Sequence, residues 1–202
     1  MSYPLTKQEL LKQIALETAR ISYPGGMSRG AKQVVKAHTK EKIERYFVTK
    51  FPMCALRDNA SGIASAYDSW HEQQAAAIGI FLEQQSCLGN PDNNKFVVGA
   101  KFLNTFMHQL MKYEWARPLW QQLHLPLDAR VFYAFAHIES PSIEKINSRI
   151  GMKTAYSISR KDYQFIQATL REFVDELNKR PEVEFQVQSR IELNYLWLDE
   201  TP

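Results

Sequence analysis

The reactive chemistry legible in this chain rests on a lysine and an aspartate 27 positions apart. Lys101 stands in VVGAKFLNTF, flanked by Ala100, Phe102 and Leu103. An amine on an apolar face loses hydration, which disfavours its ammonium form, and the positive end of a helix dipole disfavours it further. A lysine kept neutral in this way is a nucleophile that can form a Schiff base. Asp128 stands in LHLPLDARV, after Leu125-Pro126-Leu127 and before Ala129-Arg130. Aspartate is a favoured helix N-cap and proline sets the entry angle, so a helix is expected from about Ala129. At a helix N-terminus the carboxylate stays ionised and can stabilise a cation forming beside it. Each residue also has a plain reading, in which Lys101 snorkels to water and Asp128 only caps. The sharper reading requires the two to meet.

Helical punctuation surrounds both. Thr6-Lys-Gln-Glu9 reads as a capping box into LLKQIALETARI, ended by the turn Tyr23-Pro-Gly-Gly26. A basic amphipathic stretch runs to about Lys50 and stops at Phe51-Pro52. Residues 61–85 are Ala-rich and read as one helix, with Gly79 as the place where it would break. CLGNPDNNK (87–95) is a turn cluster, and Lys101 is expected at the start of the helix that follows it. In that helix Phe102, Phe106, Leu110 and Tyr113 recur at helical spacing. ARVFYAFAHI and PSIEKINSRI follow the Pro118 and Pro126 segment. Then come a longer helix capped by Ser159 with Asp162, and a capping box Ser189-Arg-Ile-Glu192 into LNYLWLDE. Only VEFQV (183–187) alternates like a strand. The expectation is an all-α chain of eight to ten short helices.

Composition narrows the class. With 202 residues, 45% apolar and 23% charged, the chain is long enough for a real core. No apolar run approaches the ~18 residues of a membrane span, and MSYPLTKQELLKQ lacks the apolar stretch of a signal peptide. Cys54 and Cys87 are far apart with no CxxC, so they read as free, buried thiols in a cytoplasmic protein. The net charge of +3 is uneven: residues 1–50 hold ten Lys/Arg against four Asp/Glu. Such a basic segment suits either a solvated helix face or a phosphate backbone.

Several stretches imitate motifs. His71-Glu-Gln-Gln-Ala75 begins like HExxH but lacks the second imidazole, and the five histidines show no ligand spacing, so no metal site is expected. Gly151-Met-Lys153 looks like the lysine-bearing turn of some base-excision enzymes, but no matching aspartate at a helix start is read downstream. Trp115, Trp120, Phe132, Tyr133 and Phe135 are read as core aromatics.

Three pieces in order carry a resemblance. Lys101 begins K-x-x-x-x-F-M-x-x-x-M-x-Y; Leu125-Pro126-Leu127-Asp128-Ala-Arg130-Val131 leads into a helix; Ser189-Arg-Ile-Glu-Leu-Asn-Tyr-Leu-Trp197 makes a serine-capped helix. Over residues 96–199 the chain resembles the helix-hairpin-helix DNA glycosylase superfamily, and within it the archaeal 8-oxoguanine DNA glycosylase (AGOG) branch. It departs from that pattern in three places. The segment before Lys101 offers Asn93-Asn94-Lys95 and Gly99 instead of glycine-x-glycine. The last helix carries Asn194 where the branch has an acidic residue, and Trp197 is one position nearer to it.

The resemblance implies a single two-lobed helical unit with a cleft, acting as a monomer on double-stranded DNA that contains a damaged base. Lys101 would be the nucleophile at the sugar C1′, and Asp128 would stabilise the oxocarbenium charge. Pro126, Asn194 and Trp197 would line the pocket of the flipped base. Lys95, Gly99 and Arg130, with Lys32 and Lys36 of the basic segment, would hold the DNA backbone. No cofactor is implied, and the cysteine pattern does not suit an iron–sulfur cluster. Two other readings stand beside it: a non-catalytic helix-hairpin-helix DNA-binding module, and an unrelated all-α interaction protein in which Lys101 and Asp128 never meet.

Overall fold

A computed structural model describes residues 6–26, 35–89, 94–151, 153–181 and 186–196. Ten α-helices are assigned among them: α1 Lys7–Gly26, α2 Thr39–Thr49, α3 Met53–Asp58, α4 Ala60–Ser65, α5 Tyr67–Gln84, α6 Lys95–Leu110, α7 Ala129–Phe135, α8 Pro141–Ile150, α9 Arg160–Leu177 and α10 Leu193–Leu196. Two 3₁₀ helices, Glu114–Gln122 and Arg190–Glu192, join them, and no β-strand occurs among the described residues. The protein is all-α. Of the stretch that alternates like a strand, residues 183–185 lie outside the described residues. No described helix is long and apolar enough to cross a membrane.

α6 is the hub, and its sequence explains why. Every residue from 96 to 104 is buried, so this helix meets protein on all sides. It packs chiefly against α5 and also touches α1 and α9. The α5–α6 crossing is close because glycines face across it. A Cβ on Gly99 would lie 2.2 Å from the Ala75 carbonyl oxygen, and one on Gly79 would lie 2.4 Å from the Lys95 carbonyl oxygen. Aromatic packing closes the other flank, where the rings of Phe47 and Phe106 stack at 3.8 Å between centroids. One core cluster extends from Leu11 in α1 to Leu193 in α10.

Some boundaries differ from the sequence expectation. Helical backbone continues through Gly26 rather than ending at Tyr23; proline's fixed φ is itself helical, and near a helix end it forfeits little. The Ala-rich stretch is not one helix. It breaks at Ala66, between α4 and α5, and α5 runs unbroken through Gly79, where the close helix crossing leaves no room for a side chain. Three caps form as read: Thr6 with Glu9, Asp128 on α7, and the reciprocal Ser159–Asp162 box on α9. The Ser189–Glu192 box forms as well, with the Glu192 carboxylate accepting from the Ser189 amide at 3.4 Å. Cys87 is buried, but Cys54 is exposed, because α3 turns it outward. Tyr133 is also solvent-facing at 47% exposure, unlike its core neighbour Phe135.

Candidate active site

Two polar side chains, Lys101 and Asn104, interrupt the buried stretch of α6. A polar group in such a place must find partners or weaken the fold. The partners of these two define the site.

Lys101 is 3% exposed, and its Nζ lies 3.8 Å from Asp128 Oδ2. Nζ also donates a hydrogen bond to the Tyr156 hydroxyl at 2.9 Å and sits 5.5 Å from the centre of that ring. Asp128 divides its oxygens between two roles. Oδ1 caps α7 by accepting from the Arg130 and Val131 amides at 3.0 and 3.2 Å, which leaves Oδ2 for the lysine. Capping and facing the amine are therefore compatible. Burial lowers the Lys101 pKa from 10.5 to about 8; the Arg130 charge pushes the same way and Asp128 opposes both. The helix N-terminus is too far away to contribute, which corrects one expectation. α6 starts at its Asn94 cap, so Lys101 is seven positions beyond the cap, where the dipole's effect has faded.

Asn104 opens a second network, which the sequence reading missed. Its Oδ1 lies 2.6 Å from His71 Nε2, and its Nδ2 donates to the Tyr163 hydroxyl at 2.9 Å and to the Leu125 carbonyl at 3.3 Å. Tyr163 is 3.3 Å from His124 Nδ1, and His124 Nε2 is 2.8 Å from Asp68 Oδ1. One proton arrangement satisfies the chain: both histidines are neutral with Nε2 protonated, and Tyr163 donates to His124. Burial lowers both imidazoles, His71 to about 4 and His124 well below its ordinary value. Gln167 on α9 then holds both backbone groups of Leu125, accepting from its amide at 3.0 Å and donating to its carbonyl at 2.8 Å. Buried Arg190 ties the C-terminal segment to the same place through the Gln122 and Gln167 carbonyls. The network grips residues 122–125, directly before the segment that carries Asp128. A lone asparagine in an apolar helical run was the available signal, and nothing local pointed to its partners.

The other expected site residues scatter. Pro126 and Asn194 are half-buried, and Arg130 is exposed. Trp197 and Lys32 lie outside the described residues. Gly99 is corrected: it is a buried packing residue against Ala75 and Gly79 of α5, not a turn residue open to a backbone. Lys36 and Lys95 do come together. With Lys153, Asn94 and Ser159 they line a surface hollow of about 720 Å³ beside the N-termini of α6 and α9.

Lys153, in the turn that imitates a base-excision motif, does have a downstream aspartate. Its Nζ lies 2.9 Å from Asp162 Oδ2 in the first turn of α9, where Arg149 also contacts the carboxylate. The Lys153 side chain is 46% exposed, however, so the pair reads as a surface tie between α8 and α9. Of the pairs made by Lys101 and Lys153, only that of Lys101 is buried. Among the described residues no group of three or more His, Cys, Asp or Glu could hold a metal ion. No family model, curated protein or solved structure matches the chain.

Proposed function

We propose that the protein is a bifunctional DNA glycosylase and AP lyase that removes oxidised guanine through a Schiff base on Lys101. The observation that carries this reading is the buried Lys101 amine, 3.8 Å from the Asp128 carboxylate. With a pKa of about 8, about one molecule in ten carries the neutral amine at pH 7, against about one in three thousand at the ordinary 10.5. The neutral amine attacks C1′, the glycosidic bond breaks, and its electron pair leaves with the base, which takes up a proton. The carboxylate Oδ2 stabilises the cationic sugar and can receive the proton lost by the amine. Loss of that proton and ring opening give the Schiff base, from which strand cleavage by elimination follows.

The target base reaches such a site only when flipped out of the duplex. In this reading the molecule has two lobes with the pair facing the cleft between them. Pro126 and Asn194 line the base pocket, and the Lys36–Lys95–Lys153 hollow, with Arg130, holds phosphates. A non-catalytic DNA-binding module shares the lysine–carboxylate geometry, whereas an interaction protein has no need of a desolvated amine.

Borohydride reduction with a duplex containing 8-oxoguanine tests the proposal. Wild-type protein is expected to form a covalent adduct and Lys101→Gln none, while Lys101→Gln still binds the duplex. Binding without adduct by the wild type on a panel of lesions would leave the DNA-binding module. Adduct formation by Lys101→Gln would move the nucleophile to Lys153 or Lys112.

A further inference from the structure

We propose that Tyr156 orients the Lys101 amine, a positioning role that rests on the Schiff-base reading above. Tyr156 lies in the segment between α8 and α9, which enters the site by two separate attachments. Its backbone carbonyl accepts from the Asn94 amide at 3.0 Å, and the Asn94 side chain donates to the Ile158 carbonyl at 2.9 Å. Asn94 also caps α6, so the segment is fastened to the very start of the helix that carries Lys101. The Tyr156 side chain, itself 8% exposed, then reaches Nζ at 2.9 Å.

A buried lysine amine carries four flexible bonds, and orientation decides whether its lone pair meets an electrophile. A neutral amine has two hydrogens and one lone pair. With one hydrogen donated to the Tyr156 hydroxyl and the other turned to Asp128 Oδ2, the lone pair takes the remaining tetrahedral direction. Without the hydroxyl, the amine can rotate its lone pair out of line. Among the charged groups of the described residues, Asp128 favours the ammonium and Arg130 disfavours it. The hydroxyl adds an acceptor that favours the ammonium without contributing charge.

Tyr156→Phe removes the hydroxyl and keeps both the ring and the backbone bond to Asn94. The single-turnover rate of adduct formation on lesion duplex is expected to fall about tenfold or more at its pH plateau. Duplex affinity should stay within about twofold, because the hydroxyl contacts the amine and not the DNA backbone. The acidic limb of the rate profile should move down by about one pH unit, since the ammonium loses an acceptor. Titration of ¹³Cε-labelled lysines, with Lys101 assigned from Lys101→Gln, should show the same displacement in DNA-free protein. A purely structural tyrosine would change thermal stability and leave both profiles where they were. A wild-type rate and an unmoved Lys101 titration in Tyr156→Phe would overturn the proposal. If the wild type forms no adduct, the enzymatic reading fails, and the Lys101 titration alone decides whether Tyr156 governs the amine.

Discussion

Lys101→Met should make the protein more stable, and by an amount that depends on pH in a particular way. The folded state holds the amine at about 8, against 10.5 ordinarily. Between those values the unfolded chain binds a proton that the folded chain releases, so stability rises with pH across the interval. Below pH 8 both states are protonated and the burial penalty is constant. A difference of one pH unit between folded and unfolded pKa values is worth about 1.4 kcal/mol. The fall from 10.5 to about 8 therefore puts the penalty at about 3 kcal/mol at pH 7. Methionine has similar length and no charge, and fills the space between Tyr156 and α7 with tolerable repacking. Urea unfolding of both proteins between about pH 6 and pH 10 would read the difference in stability. The methionine protein should lead by about 3 kcal/mol up to pH 8, and the lead should shrink steadily above it. Packing changes displace this curve without altering its slope, and the other titrating groups cancel between the two proteins. A difference that stays flat from pH 7 to pH 10 would refute the claim that the fold holds this amine deprotonation-prone.

The remaining expectations concern the supports of the site. Asp128→Asn keeps the cap on α7 and removes the charge, whereas Asp128→Ala removes both, so alanine should cost about 1 kcal/mol more on denaturant unfolding while both variants lose adduct formation. Gly99→Ala drives a methyl into the Ala75 backbone and should cost about 1–3 kcal/mol, while Gly62→Ala, which meets only the movable Asn59 side chain, should unfold like wild type. His71 and His124 have folded pKa values below the unfolded 6.5, so acidification below that point should destabilise the protein by about 1.4 kcal/mol per pH unit for each histidine until the folded values are reached. An unfolding midpoint unchanged between about pH 7 and pH 5 would contradict the neutral buried pair. Neutralising Lys32, Lys36 and Lys40 should weaken binding to all DNA sequences alike. Fluorescence anisotropy should then show a flatter salt dependence, by roughly 0.9 in logarithmic slope for each phosphate that no longer meets a lysine.

Local information determined the caps and the helical class. An N-cap depends on one side chain and the amides two or three positions on, so Thr6, Asp128 and Ser159 could be read along the chain. The periodicity of Phe102, Phe106 and Leu110 likewise marked α6 as a packed helix, because burial repeats with the helical turn. What lay beyond local reading was partnership across distance. Lys101 meets Asp128 because Asn104, Gln167 and the imidazole pair secure residues 122–125 against α6 and α9, with contacts 21 to 42 positions apart in sequence. Tyr156 reaches the amine from 55 positions away. Gly99 looked like a turn residue near a polar loop, yet its lack of a side chain serves a helix crossing visible only once α5 lies against α6. The same limit explains Lys153 and Lys101. Both lie near an aspartate, and only the packed structure decides which amine is kept from water and which stays hydrated. Desolvation is a property of everything that surrounds a side chain, so the lowered pKa of Lys101 is set by tertiary structure rather than by sequence neighbours.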